Sequence, residues 1–343
     1  MSPAAWVCSA PARANLIGNP SDQYGGTTLA CTVPLRARVT LTPAAAGRLV
    51  RGDEEVSVAA LSDLEPRGDL FDLARAVLGF LGLDRPRLRI ELASEIPLQS
   101  GLAGSTALLV ALLEALLAYQ GRSLGRHALA EAAREVERTQ LGVQCGYVDH
   151  YLCVFGGLGY VDFRGKALDA PVGKAPFATV EPLAEAVPAL PFVLAFTGVR
   201  HASDAVHRPI RERWLAGEPQ VVEAYERVAR LGVAGKKALL EGDWPTLGAL
   251  MNENHAIQRD LGGSGPSNEA LIAAALAAGA PGAKLAGAGH GGTVVALWTE
   301  PDPGPLERAL RRAGATALYR PEPCPGVRLE RRPPVGAGGA GAS

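Results

Sequence analysis

The stretch Pro97-Leu98-Gln99-Ser100-Gly101-Leu102-Ala103-Gly104-Ser105-Thr106-Ala107 joins a strand-like run at residues 88–92 to an apolar helical run at residues 108–119. The first backbone N–H groups of a helix have no partner within it and together carry about half a positive charge. Because glycine lacks a Cβ, an anion can come close to this backbone. The loop therefore predicts a phosphate site, although the same composition is typical of a tight turn. It is not a Walker A loop, since Gly-x-x-x-x-Gly-Lys-Ser/Thr is absent from the sequence.

Composition narrows the classes of protein to which the chain can belong. Its 343 residues suffice for two domains, and 48% of them are hydrophobic, which allows a large buried core. A formal net charge of −1 argues against non-specific nucleic-acid binding. The five cysteines are scattered and form no Cys-x-x-Cys pair, which favours a reduced cytoplasmic chain over a disulfide framework or a zinc site.

No targeting or membrane segment is expected. The first charged residue is Arg13, and no clean apolar core of a signal peptide precedes it. The longest apolar stretch, residues 107–119, contains Glu114 and is too short to span a bilayer. We therefore expect a cytoplasmic protein that binds neither nucleic acid nor membrane, and is a monomer or a homodimer.

Strand and helix patterns alternate along the chain and predict an α+β fold in two domains. The predicted strands are residues 6–9, 38–42, 87–93, 156–163, 192–196 and 294–298, with one or two further strands after residue 313. The predicted helices are residues 72–83, 108–119, 124–139, 204–215, 221–240, 244–261, 268–278 and 305–313. A Pro- and Ala-rich stretch at residues 171–191 separates domains assigned to residues 1–185 and 186–332, and the low-complexity tail 333–343 is expected to be disordered.

Three other segments carry polar or Gly-rich patterns. The run from Pro11 to Gly26 offers donors and acceptors that suit a polyhydroxylated ligand, or an ordinary surface loop. The segment Lys284-Leu285-Ala286-Gly287-Ala288-Gly289-His290-Gly291-Gly292-Thr293 matches Gly-x-Gly-x-x-Gly, but a strand-like run follows, so it is not a Rossmann loop. The turn after Glu137 presents Asp149, a candidate base, metal ligand or helix N-cap.

Together, in this order and at similar spacing, the four segments resemble the GHMP kinases, which include galactokinase, homoserine kinase, mevalonate kinase and phosphomevalonate kinase. The family's second motif reads Pro-x-x-x-Gly-Leu-x-Ser-Ser-Ala, from which this chain departs at Gly104 and Thr106. The resemblance covers roughly residues 10–313. It implies an N-terminal domain like ribosomal protein S5 domain 2, and a ferredoxin-like C-terminal domain.

Within that family, the motifs divide between branches. Arg13-Ala14-Asn15-Leu16-Ile17-Gly18 is similar to galactokinases, whereas Asn19-Pro20-Ser21-Asp22 and the stretch 203–218 resemble glucuronokinases. The segment around Asp149 has the galactokinase form. Residues 251–255 and the loop at Lys284 look like mevalonate kinase, which nevertheless carries Lys where this chain has Arg13. The resemblance implies ATP-dependent phosphorylation of a sugar or sugar acid, at the anomeric hydroxyl as in glucuronokinase. The alternatives are galactokinase activity, mevalonate kinase activity, or a silent sensor of nucleotide and sugar.

The resemblance also implies roles for individual residues. Asp149 would act as the base, and Arg13 would hold it ionised and offset the charge that develops on the transferred phosphate. Mg²⁺ would bind Ser105 and Glu137. The residues expected to contact ATP or its phosphates are Pro97, Gly101, Leu102, Ala103, Gly104, Ser105, Thr106, Gly287, Gly289 and Gly291. The residues expected to contact the substrate are Asn19, Asp22, Tyr24, Asp149, His207, Arg208 and Arg211, of which the last three would pair with a uronate carboxylate or form a solvated basic helix face.

Overall fold

A computed structural model of the chain describes residues 4–166, 175–187, 189–200 and 203–333. Its strands form two sheets. In chain order the strands are β1 (Trp6–Ile17), β2 (Thr27–Pro43), β3 (Gly47–Arg51), β4 (Glu54–Val58), β5 (Leu88–Ser94), β6 (Leu158–Asp162), β7 (Thr179–Pro182), β8 (Phe192–Phe196), β9 (Gly282–Leu285), β10 (Thr293–Leu297), β11 (Ala317–Tyr319) and β12 (Arg328–Arg331).

Nine α-helices occur in the described parts of the chain. They are α1 (Asp72–Phe80), α2 (Gly104–Tyr119), α3 (Arg126–Thr139), α4 (Val148–Phe155), α5 (Ser203–Leu215), α6 (Pro219–Glu241), α7 (Trp244–Asp260), α8 (Pro266–Ala277) and α9 (Gly304–Arg312). The α+β class expected from the sequence is confirmed.

The first sheet has the order β12-β1-β2-β5-β3-β4, and β6 pairs with β2 and β7 with β6. A long antiparallel hairpin, β1 against β2, forms its centre, with Arg13 opposite Thr32. Helix α2 is apolar on all sides and almost wholly buried against β1 and β2, as expected for a central core helix. Its N-terminus is thereby fixed beside the middle of β1.

The second sheet is antiparallel in the order β11-β8-β10-β9, and it has a smaller core of its own that α8 and α9 share. The last strand, β12, returns to the first sheet and pairs with β1, although the sequence places residues 328–331 in the second domain. The division at residues 185 and 186 remains a prediction. The predicted linker residues 171–174 and most of the predicted tail, residues 334–343, lie outside the described chain.

Several elements differ from those expected. The run that follows Pro11 was expected to be a ligand-binding or surface loop, but residues up to Ile17 continue β1. Strand β2 is also longer than residues 38–42, because its first half pairs with β1 and β6. The β3–β4 hairpin was not predicted, and the short helix α4 was anticipated only as the helix that Asp149 would cap. None of the described helices is long and apolar enough to cross a bilayer.

Candidate active site

Arg13 joins three separate segments of the chain. It projects from β1 and is 5% exposed. Its Nε donates to Asp149 Oδ1 at 2.7 Å, and its Nη1 donates to the carbonyl oxygen of Gly101 at 2.7 Å. A planar guanidinium can hold two acceptors in fixed directions. One side chain therefore sets the distance between the Gly101 loop and the Asp149 carboxylate.

Asp149 occupies the first turn of α4 and is not its N-cap, since Tyr147 holds that position. The capping carboxylate belongs to Asp22, whose Oδ2 accepts from the backbone N–H groups of Tyr147 at 2.7 Å and Val148 at 3.1 Å. Burial raises the pKa of Asp22, and the two backbone hydrogen bonds oppose that rise. Asp22, expected to bind sugar hydroxyls, therefore also fixes the helix that carries Asp149.

The Asp149 side chain remains 29% exposed, and it opens into a cavity of about 410 Å³. The cavity is of a size that suits a small-molecule site. Its lining comprises Arg13, Asn15, Asn19, Pro20, Asp22, Gln23, Asp72, Leu73, Gln99, Ser100, Gly101, Ala103, Gly104, Ser105, Thr106, Glu137, Leu141, Val143, Gln144, Cys145, Gly146, Val148, Asp149, His207, Gly287 and Ala288.

The start of α2 faces this cavity. Ala103 is the N-cap in a left-handed conformation (φ 60°, ψ 33°), and no side chain caps the helix. The first amides of the helix, from Gly104 onward, lack partners within it and thus point donors and the positive end of the dipole at the cavity. An anion placed there would be stabilised by these groups, which fits a nucleotide phosphate.

The second Gly-rich loop packs directly on the first. Thr293 Oγ1 donates to the carbonyl oxygen of Ser100 at 2.8 Å. A Cβ built on Gly287 would stand 2.9 Å from the carbonyl oxygen of Gly101, so only glycine allows this approach. The two loops thus meet at the edge of the cavity.

Not every glycine assigned to phosphate binding lines the cavity. Gly289 packs against the Gly263 carbonyl, where a Cβ would come within 1.7 Å of the oxygen. The Gly291 backbone exchanges two hydrogen bonds with Asn268. Pro97 and Leu102 also lie outside the lining, so the structure gathers a subset of the expected phosphate-binding residues, namely Gly101, Ala103, Gly104, Ser105, Thr106 and Gly287.

The expected metal ligands, Ser105 and Glu137, both line the cavity. Glu137 is buried near the end of α3, and its Oε1 accepts from Thr106 Oγ1 at 3.0 Å. Burial raises its pKa, but His150, Cys145 and Thr106 together outweigh burial and leave the pKa below its usual value. Ser105 is exposed at the start of α2. A charged carboxylate with hydroxyl groups beside it is the hard oxygen donor set that suits Mg²⁺.

The expected substrate residues divide into two groups. Asn19, Asp22, Asp149 and His207 line the cavity. Tyr24 does not, because its ring stacks on Tyr225, with 4.3 Å between centroids, and packs on Trp214. Arg208 and Arg211 of α5 are also outside the lining, so the cavity does not bring the three expected cations together.

A buried cation that the sequence did not single out lies behind the site. Lys284, on β9, is fully buried, and its Nζ donates to Asn19 Oδ1 at 2.6 Å. Burial, and to a lesser extent the charge of Arg13, lower the pKa of Lys284 to about 7. It holds the amide of Asn19, which lines the cavity. The available signal was a lysine that begins an otherwise apolar, Gly-rich run.

Comparison with known proteins identifies the family. A model of the GHMP kinase N-terminal domain matches residues 70–157, and a model of the GHMP kinase C-terminal domain matches residues 236–316. A third model, the galactokinase galactose-binding signature, matches residues 1–43. Together these matches span more than half of the 343 residues.

Three similar relatives catalyse different reactions. Glucuronokinase 1 of Arabidopsis thaliana is 29% identical over 339 residues, which cover 89% of each chain. Mevalonate kinase of Pyrococcus furiosus is 24% identical over 345 residues, 94% of this chain and 98% of that one. Galactokinase of Mycobacterium tuberculosis is 26% identical over 351 residues, 90% of this chain and 93% of that one.

Solved structures share the fold. The Lactococcus lactis galactokinase complexed with galactose superposes with a TM-score of 0.76 at 18% identity, covering 95% of each chain. The L. major mevalonate kinase in complex with R-mevalonate gives a TM-score of 0.67 at 21% identity, covering 93% of this chain and 96% of that one. GHMP kinases are ATP-dependent kinases of sugars or mevalonate. With both domain models matched in order and this fold shared, the chain belongs to the GHMP kinase family.

Proposed function

We propose that this protein transfers the γ-phosphoryl group of ATP to a hydroxyl of a sugar or sugar acid, with the anomeric hydroxyl of a uronic acid as the favoured acceptor. The observation that carries the proposal is the Arg13 bridge between Asp149 and the Gly101 carbonyl. This bridge sets the Asp149 carboxylate beside the uncapped N-terminus of α2, and both face one cavity. Those are the two parts that phosphoryl transfer to an alcohol requires.

In the proposed reaction, the amides at the start of α2 hold the phosphates of ATP. The acceptor oxygen bonds to the γ-phosphorus as the bond to the β–γ bridging oxygen breaks, and ADP leaves. Asp149 takes the proton of the attacking hydroxyl. Arg13 fixes the direction of that carboxylate and places a full positive charge near the transferred group. Most of the acceleration would come from positioning and charge, as is usual for this chemistry.

Mg²⁺ would be held by Ser105 and Glu137, with Thr106 orienting the Glu137 carboxylate through its hydroxyl. When bound, the ion would neutralise charge on the ATP phosphates. Because its pKa is lowered, the Glu137 carboxyl is ionised at neutral pH, as a metal ligand must be.

One match favours a sugar, and two observations favour a sugar acid. The galactose-binding signature covers residues 1–43, which include Arg13, Asn15 and the Asn19–Asp22 turn, and it favours a sugar as the acceptor. His207 lines the cavity and can pair with a carboxylate when it is protonated. The similarity to glucuronokinase 1 points the same way. Mevalonate, also a carboxylate, is the second candidate, because the Lys284 loop and the similarity to mevalonate kinases favour it.

A panel of acceptors tests the proposal. ADP release would be followed with glucuronate, galacturonate, galactose, mevalonate and homoserine, each with and without enzyme. We expect the highest kcat/KM with a uronic acid and an acid-labile phosphorylated product, as anomeric phosphates are. Turnover of mevalonate alone would select the second candidate. No acceptor-dependent ADP release with any compound would favour the sensor.

A matched pair of variants tests the role of His207. His207→Gln should raise KM for the uronic acid about tenfold, since one charge-assisted hydrogen bond is lost, while galactose is unaffected. Arg230→Gln, at an exposed cation of α6, is the control and should change neither the KM for the uronic acid nor the KM for galactose. Equal effects of His207→Gln on both acceptors would show that His207 does not bind the carboxylate.

A further inference from the structure

A carboxylate, a thiol and an imidazole meet at the inner edge of the cavity. The ligand atoms of Glu137, Cys145 and His150 all lie within 4.8 Å of one another. Glu137 and Cys145 line the cavity, and His150 lies behind them on α4. The proposed kinase reaction uses Glu137 alone of the three. Cys145 and His150 enter that reaction only through their effect on the pKa of Glu137.

His150 is a buried polar group whose ring nitrogens meet no hydrogen-bond geometry, although a Glu137 carboxylate oxygen lies nearby. Its exposure is 0%, and Nε2 stands 3.2 Å from Glu137 Oε2. Yet neither ring nitrogen meets hydrogen-bond geometry with any atom in the described parts of the chain. A buried imidazole left in this state is costly, and native proteins rarely keep one without a use. Its Nε2 is aimed at the cluster, so the missing partner belongs there.

The turn between α3 and α4 brings Glu137, Cys145 and His150 together. Helix α3 ends at Thr139, and the chain turns at Gly142, which has a φ of 65°. The amide of Val143 donates back to the Glu137 carbonyl at 2.9 Å and closes the turn. Because α4 then packs against α3, His150 on α4 comes to lie beside Glu137 on α3. The sequence lacks the close cysteine pairing of most zinc motifs, so spacing alone did not reveal the cluster.

We propose that Glu137, Cys145 and His150 form a binding site for a borderline-soft divalent metal ion such as Zn²⁺ or Co²⁺. Sulfur, nitrogen and carboxylate oxygen are the donors that zinc takes, whereas Mg²⁺ avoids thiolate. Donors bound to one zinc ion stand about 3.3–3.6 Å apart, so side-chain shifts of about 1 Å bring this cluster into place. On binding, the Cys145 thiol releases its proton to solvent and its sulfur bonds to the metal.

The site opens to the cavity, which leaves a fourth position for water or a phosphate oxygen. Three protein ligands and one open position are the arrangement of reactive zinc sites rather than closed structural ones. Thr106, hydrogen-bonded to Glu137 Oε1, orients the carboxylate from behind. Since the ion takes Glu137, it competes with Mg²⁺ at the position proposed for the kinase reaction. Zinc would therefore bind the protein without nucleotide and would inhibit phosphoryl transfer.

Cobalt spectroscopy tests the site without any kinase assay. Co²⁺ added to the full chain, free of ATP and Mg²⁺, should give a thiolate-to-cobalt band in the near ultraviolet and strong visible bands typical of tetrahedral coordination. Cys145→Ser should abolish the near-ultraviolet band, and His150→Gln should weaken Co²⁺ binding at least tenfold. Cys324→Ser is the matched control, a partly exposed free cysteine outside the cavity lining, and should keep the full spectrum.

An absent thiolate band in the wild-type protein, or one that persists in Cys145→Ser, would overturn the proposal. If His150→Gln does not fold, as far-ultraviolet circular dichroism would show, the Cys145→Ser spectrum decides alone. These readouts need neither ATP nor an acceptor, so a failure of the metal site is distinguishable from a failure of the proposed kinase activity.

Discussion

Lys284 lies in an environment that departs far from the ordinary one for a lysine. Its ammonium group is buried, with Asn19 Oδ1 and the Leu285 carbonyl as acceptors. No carboxylate is among these acceptors. The folded state therefore keeps a group whose charged form is costly, which explains the fall of its pKa to about 7. The free-energy cost of burying this ammonium group is consistent with a role for Lys284 in positioning the Asn19 side chain, which lines the cavity.

This environment predicts a pH dependence of stability. Between pH 7 and 10.5 the folded protein holds Lys284 neutral while the unfolded chain keeps it protonated, so the unfolded state binds more protons and stability rises with pH. The unfolding free energy of the wild type, relative to Lys284→Met, should therefore increase between pH 7 and 9. Urea unfolding at several pH values measures it. Lys237→Met, at an exposed lysine, should show no such trend, and a flat difference for Lys284→Met would contradict the account.

The family resemblance implied that Arg13, Asp149, Glu137 and the Gly101 loop belong to one site, and the structure places them around one cavity. Their roles in the reaction remain predictions. Lys284 and His150 could not be selected in this way. Their significance depends on burial and on the partners that packing provides or withholds, and neither property is visible in a local pattern.

Among the elements, α2 and its loop contribute most to the site. The predicted helix after the Gly101 loop is confirmed, although it begins at Gly104. The predicted helices α1, α3, α6 and α9 also occur, because their apolar residues recur at helical spacing, and the predicted helix α7 occurs as well. The β3–β4 hairpin was missed because β4, Glu54–Val58, is short and mostly polar and exposed. Helix α4 was anticipated only as the helix that Asp149 would cap, because its eight residues give too short a periodic pattern to assign bounds.

The contact between the two Gly-rich loops predicts the effect of one methyl group. Gly287→Ala would place a Cβ 2.9 Å from the Gly101 carbonyl oxygen, and the loops must separate. Overpacking of this kind costs about 1–3 kcal/mol, so KM for ATP should rise at least about fivefold, with a smaller change for the acceptor. Gly125→Ala, where nothing lies within 4 Å of the new Cβ, is the control for steady-state kinetics. An unchanged KM for ATP in Gly287→Ala would show that the loop contact does not shape the nucleotide site.

In the whole molecule, the last described strand returns to the sheet that contains the first strand. Strand β12 pairs with β1, the strand that carries Arg13, and Glu330 of β12 contacts Ser9 and Arg38. The last described strand thus supports the first. Sequence order predicted two consecutive domains, whereas this return depends on long-range pairing that no local pattern records. The overall α+β class was predictable because it follows from the kinds of element alone.

Two truncations test this closure. A chain that ends at Val327 lacks β12, whereas one that ends at Pro333 keeps it. We expect the shorter chain to melt at least about 5 °C lower, because β1 loses one pairing edge and Arg38 of β2 loses its ion pair with Glu330. Differential scanning calorimetry of the two chains gives the difference directly. Equal melting temperatures would show that β12 contributes nothing to the first sheet.

The central claim is that one cavity holds the ATP phosphates at α2 and an Arg13-oriented Asp149 at the acceptor hydroxyl. Asp149→Asn keeps the size of the side chain but removes the base, and general-base catalysis is worth roughly 10²–10⁴ in rate. The most direct measurement is kcat for acceptor-dependent ADP release by this variant, with ATP affinity measured alongside by calorimetry. We expect kcat to fall by at least about 100-fold while the Kd for ATP changes by less than about threefold. A variant that turns over at nearly the wild-type rate would contradict the account.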